Sequence, residues 1–359
     1  MNFRFIIFVC FVLFGFLALF FIFCYKKDDK HEFLYFIKKV GLYSLPVVLV
    51  VSIYLFAGKE YRKILNGISM SKQLEQGFYN AVANKKGMYI LGNSRCYRGL
   101  NPKLLGLSTY NFAYDNETFL EQYYKLEYLK KNGIIPDTVI LGVDYFEFSF
   151  VSTVLKDVYS QYFSPDYIKS IDKYVVKSNN KLDDLNNFMN SRMSTLFGRS
   201  ASQYFDFLYY HYILGDSIQF PYLKDNGQYI IRPLPHAKEG DFVKRDSTIL
   251  EIQEKSFESI ISFTKIHNIT LFLVMPPTRK IERDSYSIEF VKKRDEYFIS
   301  KCEEGNIFYI SYFNDNDFIT TDFMDDTHLT PIAADRFSRK LRMDIEFLNG
   351  NKRLLYLYH

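Results

Sequence analysis

Two short stretches of this chain hold the residue types needed for acyl transfer. Gly92-Asn93-Ser94-Arg95 offers a serine, and Asp325-Asp326-Thr327-His328 offers a carboxylate and an imidazole. A serine hydroxyl is a weak nucleophile until a base takes its proton, and the base needs a third group to hold its ring and tautomer. Ser94 fits the first role, His328 the second and Asp325 the third. An Asp-x-x-His segment on a loop lets both side chains point into one pocket from a single turn. The competing reading of Ser94 is a strand-to-helix N-cap, and that of His328 is a helix-start residue packed under Pro331. A literal Gly-Asp-Ser also occurs at 215–217. It follows a Tyr/Phe-rich helical run, no helix comes after it, and it reads as a decoy.

These residues need elements to place them. GMYILGNS, from Gly87, is a short apolar run that ends in glycine, the pattern of a buried strand. A short helix follows, then a second strand near Thr109 to Ala113. Residues 117–132 carry apolar positions at helical spacing, a Lys-rich end and a closing Gly133. DTVILGVDYFEF, 137–148, reads as a third strand. Residues 151–245 break the alternation with aromatic helices and a polar stretch, and read as a helical insertion or lid. The pattern resumes with a helix at 247–266, a strand ending in Met275-Pro276-Pro277, a helix at 286–305, the strand IFYISYF from Ile307, and a helix at 331–348. The fold class expected is α/β, a three-layer parallel sheet. In such sheets ligands bind beyond the carboxyl ends of the strands, and Ser94, Asp144 and the Asp325–His328 segment all fall at such ends.

Composition narrows the function classes. The chain has 359 residues, is 48% hydrophobic and 18% aromatic, and carries a formal charge of +4, so it has apolar material for a large core. No Lys/Arg block or RNA-binding signature appears, so nucleic acid is not an expected partner. The four cysteines form no CxxC and no Cys/His cluster, which argues against zinc; a Cys96–Cys302 disulfide is left open. The acidic run Asp315 to Asp326 lacks the Gly and closing Glu of a calcium loop. No cofactor is expected.

Residues 3–25 hold no charge after Arg4 until Lys26, enough apolar length at about 1.5 Å per residue to cross a bilayer core of about 30 Å. Residues 40–58 make a second, shorter run. The link between them carries Lys26, Lys27, Lys30, Lys38 and Lys39, which favours the cytoplasmic side. The expectation is two transmembrane helices in an anchor of residues 1–63, with the rest outside the cytoplasm. The remaining chain divides into 64–150, the insertion at 151–245, and 246–359.

With Gly92-Asn93-Ser94-Arg95, the LGVDYFEF strand end, the Met275-Pro276-Pro277 strand end and Asp325-Asp326-Thr327-His328-Leu329 in this order, the chain resembles the SGNH/GDSL hydrolase superfamily. More narrowly it is similar to membrane-anchored members in cell-envelope polymer modification, the D-alanyl-lipoteichoic-acid biosynthesis and alginate O-acetylation proteins. The resemblance implies a flavodoxin-like SGNH domain and acyl transfer or ester hydrolysis, most simply of acetyl groups. It implies an envelope polysaccharide or teichoic-acid-like polymer as substrate, with a membrane-bound O-acyltransferase as partner. It assigns oxyanion or substrate-binding places to Ala113, Asn116 and Asp144. Ala113 stands where the family usually has Gly, and Asp144 where it usually has Asn. Arg95 is either an anion-binding residue or a structural partner of a carboxylate. A non-catalytic assembly or binding protein on the same fold is the alternative.

Overall fold

In the computed structural model, the described residues are 70–106, 108–152, 156–172, 174, 222–223, 226–227, 229–230, 247–303, 306–351 and 354–359, with 35, 38, 39, 41, 42 and 45. The chain separates into two compact units, residues 67–175 with 220–359, and residues 1–66 with 176–219. The sheet and the helices packed on it belong to the first unit.

Six strands form one sheet: β1 (Met88–Leu91), β2 (Thr109–Asn111), β3 (Thr138–Gly142), β4 (Thr270–Met275), β5 (Ile307–Ser311) and β6 (Tyr356–Tyr358). Their order is β2-β1-β3-β4-β5-β6, and every pair is parallel. The register sets Ile90, Ile140, Phe272 and Phe308 in one row and Leu91, Leu141, Leu273 and Tyr309 in the next. Side chains alternate between faces, so the two rows face opposite ways. Both rows are buried, which requires cover on each face. That explains the near-continuous apolar runs of the central strands.

The helices form two packed groups. Helices α4 (Phe119–Lys131) and α7 (Glu251–Ile266) lie against each other. Helix α9 (Ile288–Cys302) joins them through Phe298, whose ring meets Phe257 at 5.7 Å and Tyr309 at 5.3 Å. In the second group, α10 (Pro331–Gly350) packs on α2 (Ser94–Gly99) and α3 (Pro102–Leu105). A further helix, α1 (Met70–Asn84), lays Phe78 against Phe112 and Tyr128. Further helices among the described residues of this unit are α5 (Lys156–Tyr162), α6 (Pro165–Asp172) and the short α8 (Lys280–Arg283). Helices α5 and α6 cover α4: the hydroxyl of Tyr159 donates to Glu117 at 2.8 Å and that of Tyr167 to Glu121 at 2.9 Å.

Three sequence expectations change. The segment 137–148 is not one strand; β3 ends at Gly142, and a 3-10 helix runs over Tyr145–Ser149. Gly142 abuts the side chain of Cys96, so the chain turns where α2 seats on the sheet. The C-terminal strand β6 was not anticipated. The third change concerns the pair of transmembrane helices, which is corrected. Among the described residues no helix is long and apolar enough to cross a membrane. The segments 3–25 and 40–58 lie outside the described residues apart from Gly41, Leu42 and Leu45. The membrane attachment, the membrane partner and the extracytoplasmic placement built on that pair fall with it. Cys96 and Cys302 are both buried free thiols.

Candidate active site

The strand order reverses at β1, whose neighbours are β2 on one side and β3 on the other. Such a switch point opens a crevice at the carboxyl ends of the strands. Gly92 leaves β1 with φ +146°, a conformation that side chains rarely adopt, and a Cβ there would approach Cys96 Sγ to 2.9 Å. The close approach lets α2 start at once. Asn93 caps it, its side chain accepting from the Arg95 N–H at 2.9 Å. Ser94 is the first helical residue. Of the six residues of α2, Arg95, Cys96, Tyr97 and Gly99 are buried, whereas Ser94 and Arg98, one turn apart, are half-buried. The helix thus presents the serine hydroxyl outward from a buried turn.

The second stretch lies between β5 and α10. An antiparallel bridge pairs Phe323 with Leu329, and Met324 N–H donates to the His328 carbonyl at 2.9 Å. Inside this closed loop, Asp325 Oδ1 accepts from the backbone N–H groups of Thr327 at 2.9 Å and His328 at 2.8 Å. The other oxygen, Oδ2, lies 2.7 Å from His328 Nδ1. One carboxylate therefore shapes the loop and orients the imidazole. With Nδ1–H given to Asp325, Nε2 is the accepting nitrogen, and the Ser94 hydroxyl donates to it at 2.7 Å. Thr330 caps α10 just after, and Pro331 occupies its first turn, so the loop is pinned at its exit.

Electrostatics favour this arrangement. Burial alone would raise the Asp325 carboxyl. The bond to the His328 ring, the attraction of that ring whenever it is protonated, and the two backbone amides outweigh it and hold the group well below the ordinary carboxylate range. Asp325 therefore remains an anion facing the imidazole. Cys96, two residues from Ser94, is not a competing nucleophile. Burial, then the charges of Asp144 and Glu147, push its thiol well up, so it stays protonated.

The other candidates fall elsewhere. Arg95 and Asp144 are brought together, but in a buried ion pair at 3.0 Å. Arg95 also pairs with Glu282 and donates to Thr278 Oγ1 at 3.2 Å. Burial would lower the Arg95 pKa; Asp144 and Glu282 outweigh that and keep the guanidinium charged. Both side chains are spent inside the protein. The Ala113 N–H donates to Asn111 Oδ1 at 3.1 Å, and Asn111 is itself held by the Cys96 and Leu100 carbonyls. Asn116 is exposed, at a turn with φ +59°. Sequence reasoning missed Asn93, which an Asx residue immediately before a helix start could have revealed. It also missed Glu282, for which Lys280-Ile281-Glu282-Arg283 gives no signal. Among the described residues no cluster of three His, Cys, Asp or Glu side chains is arranged to hold a metal ion.

No family model matches the chain, and no curated protein matches it. The resemblance to the SGNH/GDSL superfamily is corrected on that ground. The membrane-anchored reading falls with it, along with the envelope polysaccharide, the O-acyltransferase partner and the envelope setting of the non-catalytic SGNH-fold alternative.

Proposed function

We propose that this chain is an enzyme of carboxylic-ester cleavage, passing an acyl group through Ser94 to water or to an alcohol. The observation that carries the reading is the pair of contacts at His328. Nε2 lies 2.7 Å from Ser94 Oγ, and Nδ1 lies 2.7 Å from Asp325 Oδ2. Both are within the reach a general base needs toward its nucleophile and its orienting group.

The steps follow from the geometry. Ser94 Oγ attacks the ester carbonyl carbon while its proton passes to His328 Nε2. Asp325 holds the ring and stabilises the imidazolium that forms. The carbonyl π electrons move to oxygen, and the oxyanion needs donors aimed at it. The Ser94 N–H, at the first position of α2, has no acceptor within its own helix and supplies one. Collapse breaks the bond to the alkoxide, which takes the proton from Nε2 and leaves the acyl on Ser94. Water or an alcohol then gives its proton to Nε2 as it attacks, and the tetrahedral species expels Ser94, which regains a proton.

The test is hydrolysis of p-nitrophenyl acetate by the full chain, with Ser94→Ala and His328→Ala alongside. Turnover by the wild type that both substitutions abolish supports the reading. Turnover that survives Ser94→Ala refutes it.

A further inference from the structure

The residues on either side of Ser94 are fastened to the same buried carboxylate. Asn93 Nδ2 donates to Asp144 Oδ2 at 2.7 Å, and the Arg95 guanidinium meets Asp144 Oδ1 at 3.0 Å. The Asn93 side-chain oxygen closes the ring by accepting from the Arg95 backbone N–H at 2.9 Å. Asn93, Arg95 and Asp144 are all buried, as is Glu282, the second carboxylate on Arg95. Ser94, between the two fastened residues, faces outward.

The ring has a required polarity. The group at 93 must donate to Asp144 and accept from Arg95 at once, which a neutral amide does and a carboxylate does not. A carboxylate at 93 would stand against Asp144, with Glu147 Oε2 as a third acidic group 3.5 Å from the same Nδ2 position. The nearby cation, Arg95, is shared with Glu282. Like charges so close in a site shut off from water cannot all persist, so one must take a proton or the turn must open. A proton held at 93 would restore the donor but costs free energy at neutral pH; opening the turn avoids that cost and shifts α2 at its first residue.

We propose that Asn93 and Asp144 form a donor–acceptor couple that positions Ser94, and that its polarity sets the reactivity of the serine. Neither residue touches substrate; both are positioning residues. The proposal rests on the reading of Ser94 as nucleophile and adds to it what holds that nucleophile in place. It also accounts for an amide, rather than an acid, directly before the serine.

The test exchanges the two groups. Asn93→Asp alone places two carboxylates together, and Asp144→Asn alone places two amides together. The double variant Asn93→Asp/Asp144→Asn swaps donor and acceptor and keeps the total charge. Each protein is scored for its rate of labelling by a fluorophosphonate, for kcat and KM on p-nitrophenyl acetate, and for its melting temperature. Each single variant is expected to lose about 10-fold or more in labelling rate and in kcat, as a displaced nucleophile does, with KM little changed. The double variant is expected to recover to within about 3-fold of wild type, the residual reflecting imperfect repacking around the exchanged pair. Asn93→Ser keeps a cap for Arg95, while its hydroxyl is one bond too short to reach Asp144 as the amide nitrogen does, so it covers the case in which Asn93→Asp fails to fold; it too is expected to lose about 10-fold. Wild-type labelling rates in Asn93→Asp or Asn93→Ser, or a double variant no better than the worse single, would overturn the couple while leaving Ser94 as nucleophile. An unlabelled wild type would instead sink the reading of Ser94 itself.

Discussion

His328 Nε2 and Ser94 Oγ lie 2.7 Å apart although 234 positions separate them in the chain. Two independent anchors bring them together. Helix α2 is seated on the sheet where Cys96 packs between Gly92 and Gly142. The Asp325–His328 loop is closed by the Phe323–Leu329 bridge and capped into α10 by Thr330. The pair is therefore built by the sheet ends rather than by local sequence.

Asp325→Asn tests the orienting role. The amide keeps the size of the carboxylate but loses its charge and one of its accepting oxygens. Hydrolysis of p-nitrophenyl acetate is expected to drop about 10³- to 10⁴-fold in kcat with KM little changed. A loss under about 10-fold would mean that the imidazole does not depend on this carboxylate for its orientation.

The same residue sets a pH dependence of stability. Its carboxyl lies below the ordinary range in the folded chain, so between the folded value and about 3.9 the unfolded chain binds more protons. The stabilisation is present above about pH 3.9 and is lost as pH falls through the folded value. Urea unfolding of wild type and Asp325→Asn is expected to show a stability difference at about pH 5 that shrinks below about 4. A difference that widens in acid would contradict the assignment.

A carboxyl that is fully buried, Glu121, has the opposite sign. Burial raises Glu121 to about 7 against the lowering effect of its bonds to Thr118 and Tyr167. The folded chain then holds a proton that the unfolded chain releases above about 4.3, so stability falls as pH rises from there to about 7. The whole span is worth about 4 kcal/mol. Glu121→Gln is expected to flatten this slope in urea titrations at stepped pH; an unchanged slope would place the titration elsewhere.

Gly142→Ala probes the seat of α2. A Cβ at this position would collide with Cys96 Sγ. The expected cost is about 1–3 kcal/mol of unfolding free energy, as for other overpacked cores, together with reduced hydrolysis. Adding Cys96→Ala removes the obstructing sulfur and is expected to recover part of both. Melting curves and kcat on the single and double variants decide it.

Much of this architecture was legible in the sequence because buried parallel strands leave near-continuous apolar runs. The runs at Met88, Thr138, Thr270 and Ile307 are of this kind. Ser94 and His328 were visible as chemistry at such strand ends. Asp144 was visible too, but its partner was not. The buried ring of Asn93, Arg95 and Asp144 depends on contacts across elements, and no local spacing encodes them. Strand β6 escaped for a different reason. Its tyrosines are exposed, and three residues at a sheet edge leave little pattern to read.

The most direct measurement of the central claim is mass spectrometry of the full chain after treatment with a fluorophosphonate. The account predicts one adduct per chain, on the peptide carrying Ser94, and none in His328→Ala. An adduct mapped to another serine, or a folded wild type that takes up no label, would contradict it.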